Sequence, residues 1–209
     1  CGSSSSPEGP IEINFDFDSG LDGWAAGFAD YPVGQEDNFE LFSSWERLPA
    51  PLDNINGFLI SGINHSDDLF MFIKKTFAGF DPNTRYDVDF EITIATNVPS
   101  ECAGVGGSPG ESVFIKAGAI SFEPVPENDG AGFFLMNIDK GNQSVGGSNA
   151  IVIGDFANTR TNCMGTSYEE KILKSEGNSF TVLPSSEGVL WLLFATDSGF
   201  ESTTSIFYL

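Results

Sequence analysis

Apolar and polar residues alternate most regularly over 85–96. Tyr86, Val88, Phe90, Ile92 and Ile94 fall on one side; Asp87, Asp89, Glu91 and Thr93 fall on the other. A period of two sustained over that length specifies a half-buried antiparallel strand. Shorter runs with strand character occupy 11–17, 38–45, 58–63, 69–77, 112–122, 133–138, 150–153, 179–183, 189–196 and 203–209. Turn signals separate them, among them Asp18-Ser19-Gly20, Asn56-Gly57, Asp81-Pro82-Asn83-Thr84 and Asp129-Gly130. Thr166-Ser167-Tyr168-Glu169 has the spacing of a capping box and predicts one short helix reaching Lys174. About ten short strands with almost no helix predict an all-β fold: an antiparallel two-sheet sandwich of the jelly-roll kind, with long loops.

Two runs depart from alternation. LFMFI at 69–73 and VLWLLF at 189–194 are apolar on both faces, yet a sandwich strand has a single core face. Their outer faces therefore need a cover. The long excursion over 139–188 is the expected one; a partner or a ligand would serve as well.

Composition narrows the class. The 209 residues suit one domain, and the 24 glycines, 11 prolines and 20 phenylalanines suit short strands joined by tight turns. Thirty acids against nine bases give a net charge of −21, which repels nucleic acid and anionic lipid headgroups and favours cations. No apolar run approaches the ~20 residues of a membrane helix. The start, Cys1-Gly2-Ser3-Ser4-Ser5-Ser6-Pro7, looks like the mature end of a bacterial lipoprotein, with lipid on Cys1 as the sole membrane contact. Residues 1–10 then read as a flexible tether and 11–209 as one β-sandwich domain. Cys102 and Cys163 remain, both in loops rich in Gly, Ser and Asn, and are expected to pair as a disulfide in an oxidising compartment; two free thiols are the alternative.

Candidate chemistry starts at 61–75, SGINHSDDLFMFIKK, where an acid-rich loop carrying the only histidine, His65, runs into an apolar strand. Zinc would need a second nitrogen or sulfur ligand beside His65, which the sequence does not supply. Gly106-Gly107-Ser108-Pro109-Gly110 matches G-x-S-x-G, but a strand follows it where a nucleophile elbow needs a helix, so it reads as a glycine loop. Calcium has more support, since it takes six to eight oxygens from acid-rich loops. Asn64, Asp67 and Asp68 crowd one loop, Asp139, Asn142 and Gln143 a second, and Asp197 and Glu201 bracket a third. The alternative for each is an Asx turn in a wet loop. For a saccharide, Tyr31 and Trp45 lie in polar loops and are the candidate exposed platforms, whereas Trp24 and Trp191 read as core. His65 completes the candidate ligand-binding set.

The phrase FDFDSGLDGW at 15–24 resembles the opening of jelly-roll carbohydrate-binding modules. That resemblance implies a buried Trp24 and a structural Ca²⁺ near Asp18, with Asp16 and Asp22 as neighbours. Taken whole, through GFADYPVGQE, SGINHSDDLFMF, ATNVPSECAGVGGSPGESVFIKAGA, NIDKGNQSVGG and LWLLFATDSGFESTT, the chain resembles a family of uncharacterised bacterial envelope lipoproteins. This implies export to the cell envelope, lipid-anchored at the outer membrane or cell surface, and carries no activity across. The expected function is a binding protein for carbohydrate or another extracellular ligand, with structural calcium. A structural or assembly lipoprotein docking an envelope protein is the alternative, and a jelly-roll polysaccharide hydrolase or lyase a further one. No residue set in the chain spells out a catalytic centre.

Overall fold

The computed structural model describes residues 9–175, 177 and 180–209; Cys1 and nearly all of the expected tether lie outside them. The described residues form fifteen strands and no helix: β1 (Ala25–Ala29), β2 (Tyr31–Pro32), β3 (Phe42–Arg47), β4 (Asn56–Ile63), β5 (Leu69–Ala78), β6 (Tyr86–Val88), β7 (Glu91–Thr96), β8 (Val113–Ile120), β9 (Pro126–Asn128), β10 (Phe133–Met136), β11 (Ile151–Asp155), β12 (Glu169–Lys174), β13 (Phe180–Val182), β14 (Val189–Ser198) and β15 (Thr203–Tyr208). Two five-stranded antiparallel sheets carry the fold, in the orders β1-β5-β14-β8-β11 and β12-β7-β15-β4-β3; small sheets β2-β10-β9 and β13-β6 are added to them. Each of the connections β4 to β5, β7 to β8 and β14 to β15 crosses from one large sheet to the other. The last pair inserts between the two earlier ones, with β14 between β5 and β8 and β15 between β4 and β7. This is the jelly-roll winding expected from the strand pattern.

The core lies between the two sheets. Leu69, Met71, Ile73, Val113, Ile115, Ala117 and Phe194 face Phe58, Ile60, Ile92, Ile94, Ile206 and Tyr208. The segment 11–17 pairs with no strand, contrary to its alternation. Instead Phe15 and Phe17 plug the edge of the sandwich, 4.5 Å from Trp24 and 5.7 Å from Phe58 between ring centres. The run 85–96 is split at Asp89-Phe90, because Ser175 takes both backbone groups of Phe90, its amide through the hydroxyl and its carbonyl through the Ser175 N–H. The predicted helix over 166–174 is strand β12, which extends the open edge of β7 from Glu169↔Thr96 to Lys174↔Glu91. The Glu169 carboxylate is taken by Thr159 and Arg160 and is not free to cap. Asn56-Gly57 opens β4 and does not make a turn.

The outer face of the first sheet is indeed covered in cis, but by 121–149, which shares only its end with the expected 139–188. β8 ends at Ile120 beside the sheet centre, and its continuation must reach the edge position of β11, so it crosses that face on the way. Beneath it Phe70, Phe72, Ile120, Leu193 and Ala195 pack against Met136 and Ile138. Gly27 on β1 lies under Phe72 so closely that a Cβ there would fall inside the ring. Cys102 and Cys163 are joined as a disulfide.

Phe72→Ala should cost about 3–5 kcal/mol in urea denaturation, the value of a buried core ring; a wet outer face would give well under 1 kcal/mol on the same measurement. Replacing both Cys102 and Cys163 by Ser should lower stability by about 4 kcal/mol through the loop of 61 residues they close, read from the same denaturation curves.

Candidate functional site

The three acid-rich loops of the sequence do converge, and lysines stand at the point of convergence. Lys116 sits at the centre of β8 on the face turned towards the cover, on the side of Ile120 and away from Ile115 and Ala117. Asp197 lies on the same face of neighbouring β14, where it pairs with Phe114 while Ala195 pairs with Lys116. Lys116 Nζ is 2.7 Å from Asp197 Oδ2, and neither side chain has any exposed surface. Lys140 comes down from the cover, 3.1 Å from the same oxygen and 2.8 Å from Asp30 Oδ2, with Phe70 beneath its ammonium. Asp68 completes the group, close enough to Asp197 and Lys140 to feel both charges and lining one recess with Asp30 and Lys140.

Three carboxyls thus share two ammoniums, which leaves one negative charge unless a proton is held. Burial, first of all, pushes Asp68 up to about 7; Lys140 opposes this, while Asp197 and Asp30 add to it. Burial also raises Asp30 against the pull of Lys140. Burial lowers Lys116 in spite of Asp197. Lys140 is pulled down by burial, but Asp197 and Asp30 outweigh that and leave it raised. A proton held on Asp68, the acid that burial raises to about 7, makes the cluster neutral.

The acids expected to serve calcium have other partners here. Ammonium groups occupy the space between the acids, and among the described residues no three of His, Cys, Asp and Glu gather as metal ligands. Asp67 is exposed, and it is its backbone carbonyl that accepts from Gln143 Nε2. Asp139 spends its carboxylate on the amides of Gly141 and Ser148, which hold it below its usual range, Ser148 first. Asp18 accepts from Asn56 through its backbone carbonyl, Asp22 pairs with Lys75, and Glu201 stands apart beside Gly106. Tyr31 is buried against Phe39 and Phe134, so it offers no open ring; Phe134 lies far along the chain, and the local sequence does not announce it. Trp45 is 42% exposed at the edge strand β3, with its indole N–H donating to the Phe17 carbonyl at 2.6 Å. His65 is exposed, edge-on to Phe39. Ser108 donates to Glu111 inside a turn that leads into β8, consistent with a glycine loop.

A larger cleft, missed by sequence reasoning, opens at one end of the sandwich with a volume of about 760 Å³. Its apolar lining comes from Leu190, Leu192 and Ala119, from Ile11 and Ile13, and from Phe80 and Tyr86. Arg85, Asp87 and Asp89 stand exposed on its rim. The only advance signal was the polar side of the 85–96 alternation. Phe80 and Tyr86 meet edge to face at 5.5 Å, and the Asp81 N–H donates to the Tyr86 hydroxyl, fixing the ring. The amide of Asn83, with the Thr84 hydroxyl, holds Asp81 below its usual range.

No protein-family model and no curated protein matches the chain. Among solved structures it is similar to one described under the promiscuous specificity of carbohydrate-binding modules of the β-sandwich superfamily, with a TM-score of 0.42 and 11% identity over 91% of this chain. The chain spans 56% of that structure's length. It is also similar to a carbohydrate-binding module specific for non-crystalline cellulose, with a TM-score of 0.37 and 11% identity, covering 97% of this chain and 93% of the other.

Lys140→Met should destabilise the fold by about 3–5 kcal/mol, because it leaves Asp30 as a buried carboxylate without its cation. Thermal and urea unfolding measure this. A loss below 1 kcal/mol would mean that the cluster is hydrated.

Proposed function

We propose that this β-sandwich is a binding module for a saccharide seated in the end cleft, without catalysis there. The carrying observation is the cleft itself: an apolar lining with two fixed aromatic rings, and planar hydrogen-bonding groups, Arg85, Asp87 and Asp89, on the rim. A pyranose has the same two-sided character, with C–H faces that pack on rings and hydroxyls that bridge carboxylates and guanidinium groups. The volume lies within the range of small-molecule sites. The disulfide supports a location outside a reducing cytosol.

Binding is tested with a glycan array followed by calorimetry on the best ligand. Tyr86→Ala should weaken binding about tenfold or more, roughly 1.4 kcal/mol, with the melting curve retained. Trp45→Ala, away from the cleft, should leave affinity unchanged. An array without any bound glycan removes the reading, and equal loss from both variants moves the site to the β3 edge.

A further inference from the structure

We propose that Lys116 and Asp197 are joined by an intramolecular amide bond, formed within the folded protein with Asp68 as the proton-transfer group. The two residues lie on adjacent antiparallel strands as diagonal neighbours on one face. Their reacting groups are already 2.7 Å apart with no exposed surface. Two backbone carbonyls, those of Lys140 at 2.7 Å and Val145 at 3.1 Å, accept from Lys116 Nζ. An amine that has lost one proton keeps two hydrogens for these carbonyls and turns its lone pair towards Asp197.

The acid is arranged in complementary fashion. Asp197 Oδ2 also accepts from Lys140 Nζ at 3.1 Å and from the Gln143 N–H at 3.0 Å, donors placed to hold the negative charge that develops on this oxygen. Asp197 Oδ1 is buried and no N–H donates to it; the same holds for Asp68 Oδ1, which leaves the proton of Asp68 to serve Asp197 Oδ1. That free oxygen is the one that leaves. Asp30, Lys140 and Asp139 are the other charged groups facing the site; Asp30 is neutralised by Lys140, and Asp139 stands at the mouth held by backbone amides.

The reaction balances without a co-reactant. The Lys116 ammonium passes one proton to the Asp68–Asp197 pair, which already holds one, so amine and both carboxyls become neutral. Burial favours this transfer, since it disfavours every charged form. The nitrogen lone pair attacks Cγ of Asp197, forming the C–N bond. Asp68 accepts one proton from nitrogen and gives its own to the departing hydroxyl, and the C–O bond breaks. Amide and one water result, Asp68 is again protonated, and nothing is oxidised or reduced. Asp68, with Asp30, Ile138 and Lys140, lines a recess of about 280 Å³, so the water leaves past Asp68. Fixed proximity supplies the effective concentration that condensation lacks in solution.

Intact-mass spectrometry of the full chain, purified folded at neutral pH, tests the bond. The expected mass is one water below the sequence value after allowance for the disulfide, and a protease digest should yield a branched peptide joining Lys116 to Asp197. Asp68→Asn should keep the circular dichroism spectrum and show the full mass. Asp197→Asn should lose one ammonia in place of one water and again give the branched peptide joined to Lys116, which a succinimide at 197–198 would not give. Full mass in a cooperatively melting wild-type protein overturns the proposal, as does a water loss that maps to Lys140 and Asp30.

Discussion

Over 69–73 of β5 and 193–198 of β14 there is no face that water can touch. Their inner residues meet the second sheet, and their outer residues, Phe70, Phe72, Leu193 and Ala195, are equally apolar. Everything else in the architecture answers to that constraint. The chain between β8 and β11 must cross the outer face, and it must stay there. Apolar contact alone, through Met136 and Ile138, is short and non-directional. Direction comes from Lys140 and from the backbone carbonyls of Lys140 and Val145, which reach the charged groups on β8 and β14.

Much of this was legible in the chain. The both-sided apolarity of 69–73 and 189–194 demanded a cover, and the inward sides of β7 and β15 followed the period of two. What failed locally did so through partners distant in sequence. Residues 11–17 alternate like a strand, but Phe15 and Phe17 gain more as a plug against Trp24 and Phe58 than as a sheet edge. The capping-box spacing at 166–169 lost to the unpaired edge of β7, because a backbone row that is pairable along six residues outweighs one cap.

The acid loops were legible too, but their counter-ions were not. Nothing near Asp68 or Asp197 in the chain announces Lys116, which lies 81 residues before Asp197. A signal was available in β8, where a single lysine interrupts an otherwise apolar strand, VFIKAGAI. A charge there must either snorkel to water or meet an acid, and the strand is too central for the first. Net charge pointed to cations in general; the fold supplied the cations from within.

A buried ion cluster is a poor way to gain stability. The desolvation of five charged groups roughly cancels their attraction, and apolar residues of the same volume would hold the cover as well or better. The cluster must therefore do something that Leu and Met could not. It sets the register of the cover, since only one seating lets Lys140 meet Asp30 and Asp197 together while Gln143 donates its amide. It also favours an odd proton: three acids and two bases in a largely buried site leave one carboxyl that can give and take a proton beside an amine and an acid already in contact. A cluster arranged for stability alone would match acids to bases one for one. The unmatched third acid is what turns an ion pair into reacting partners.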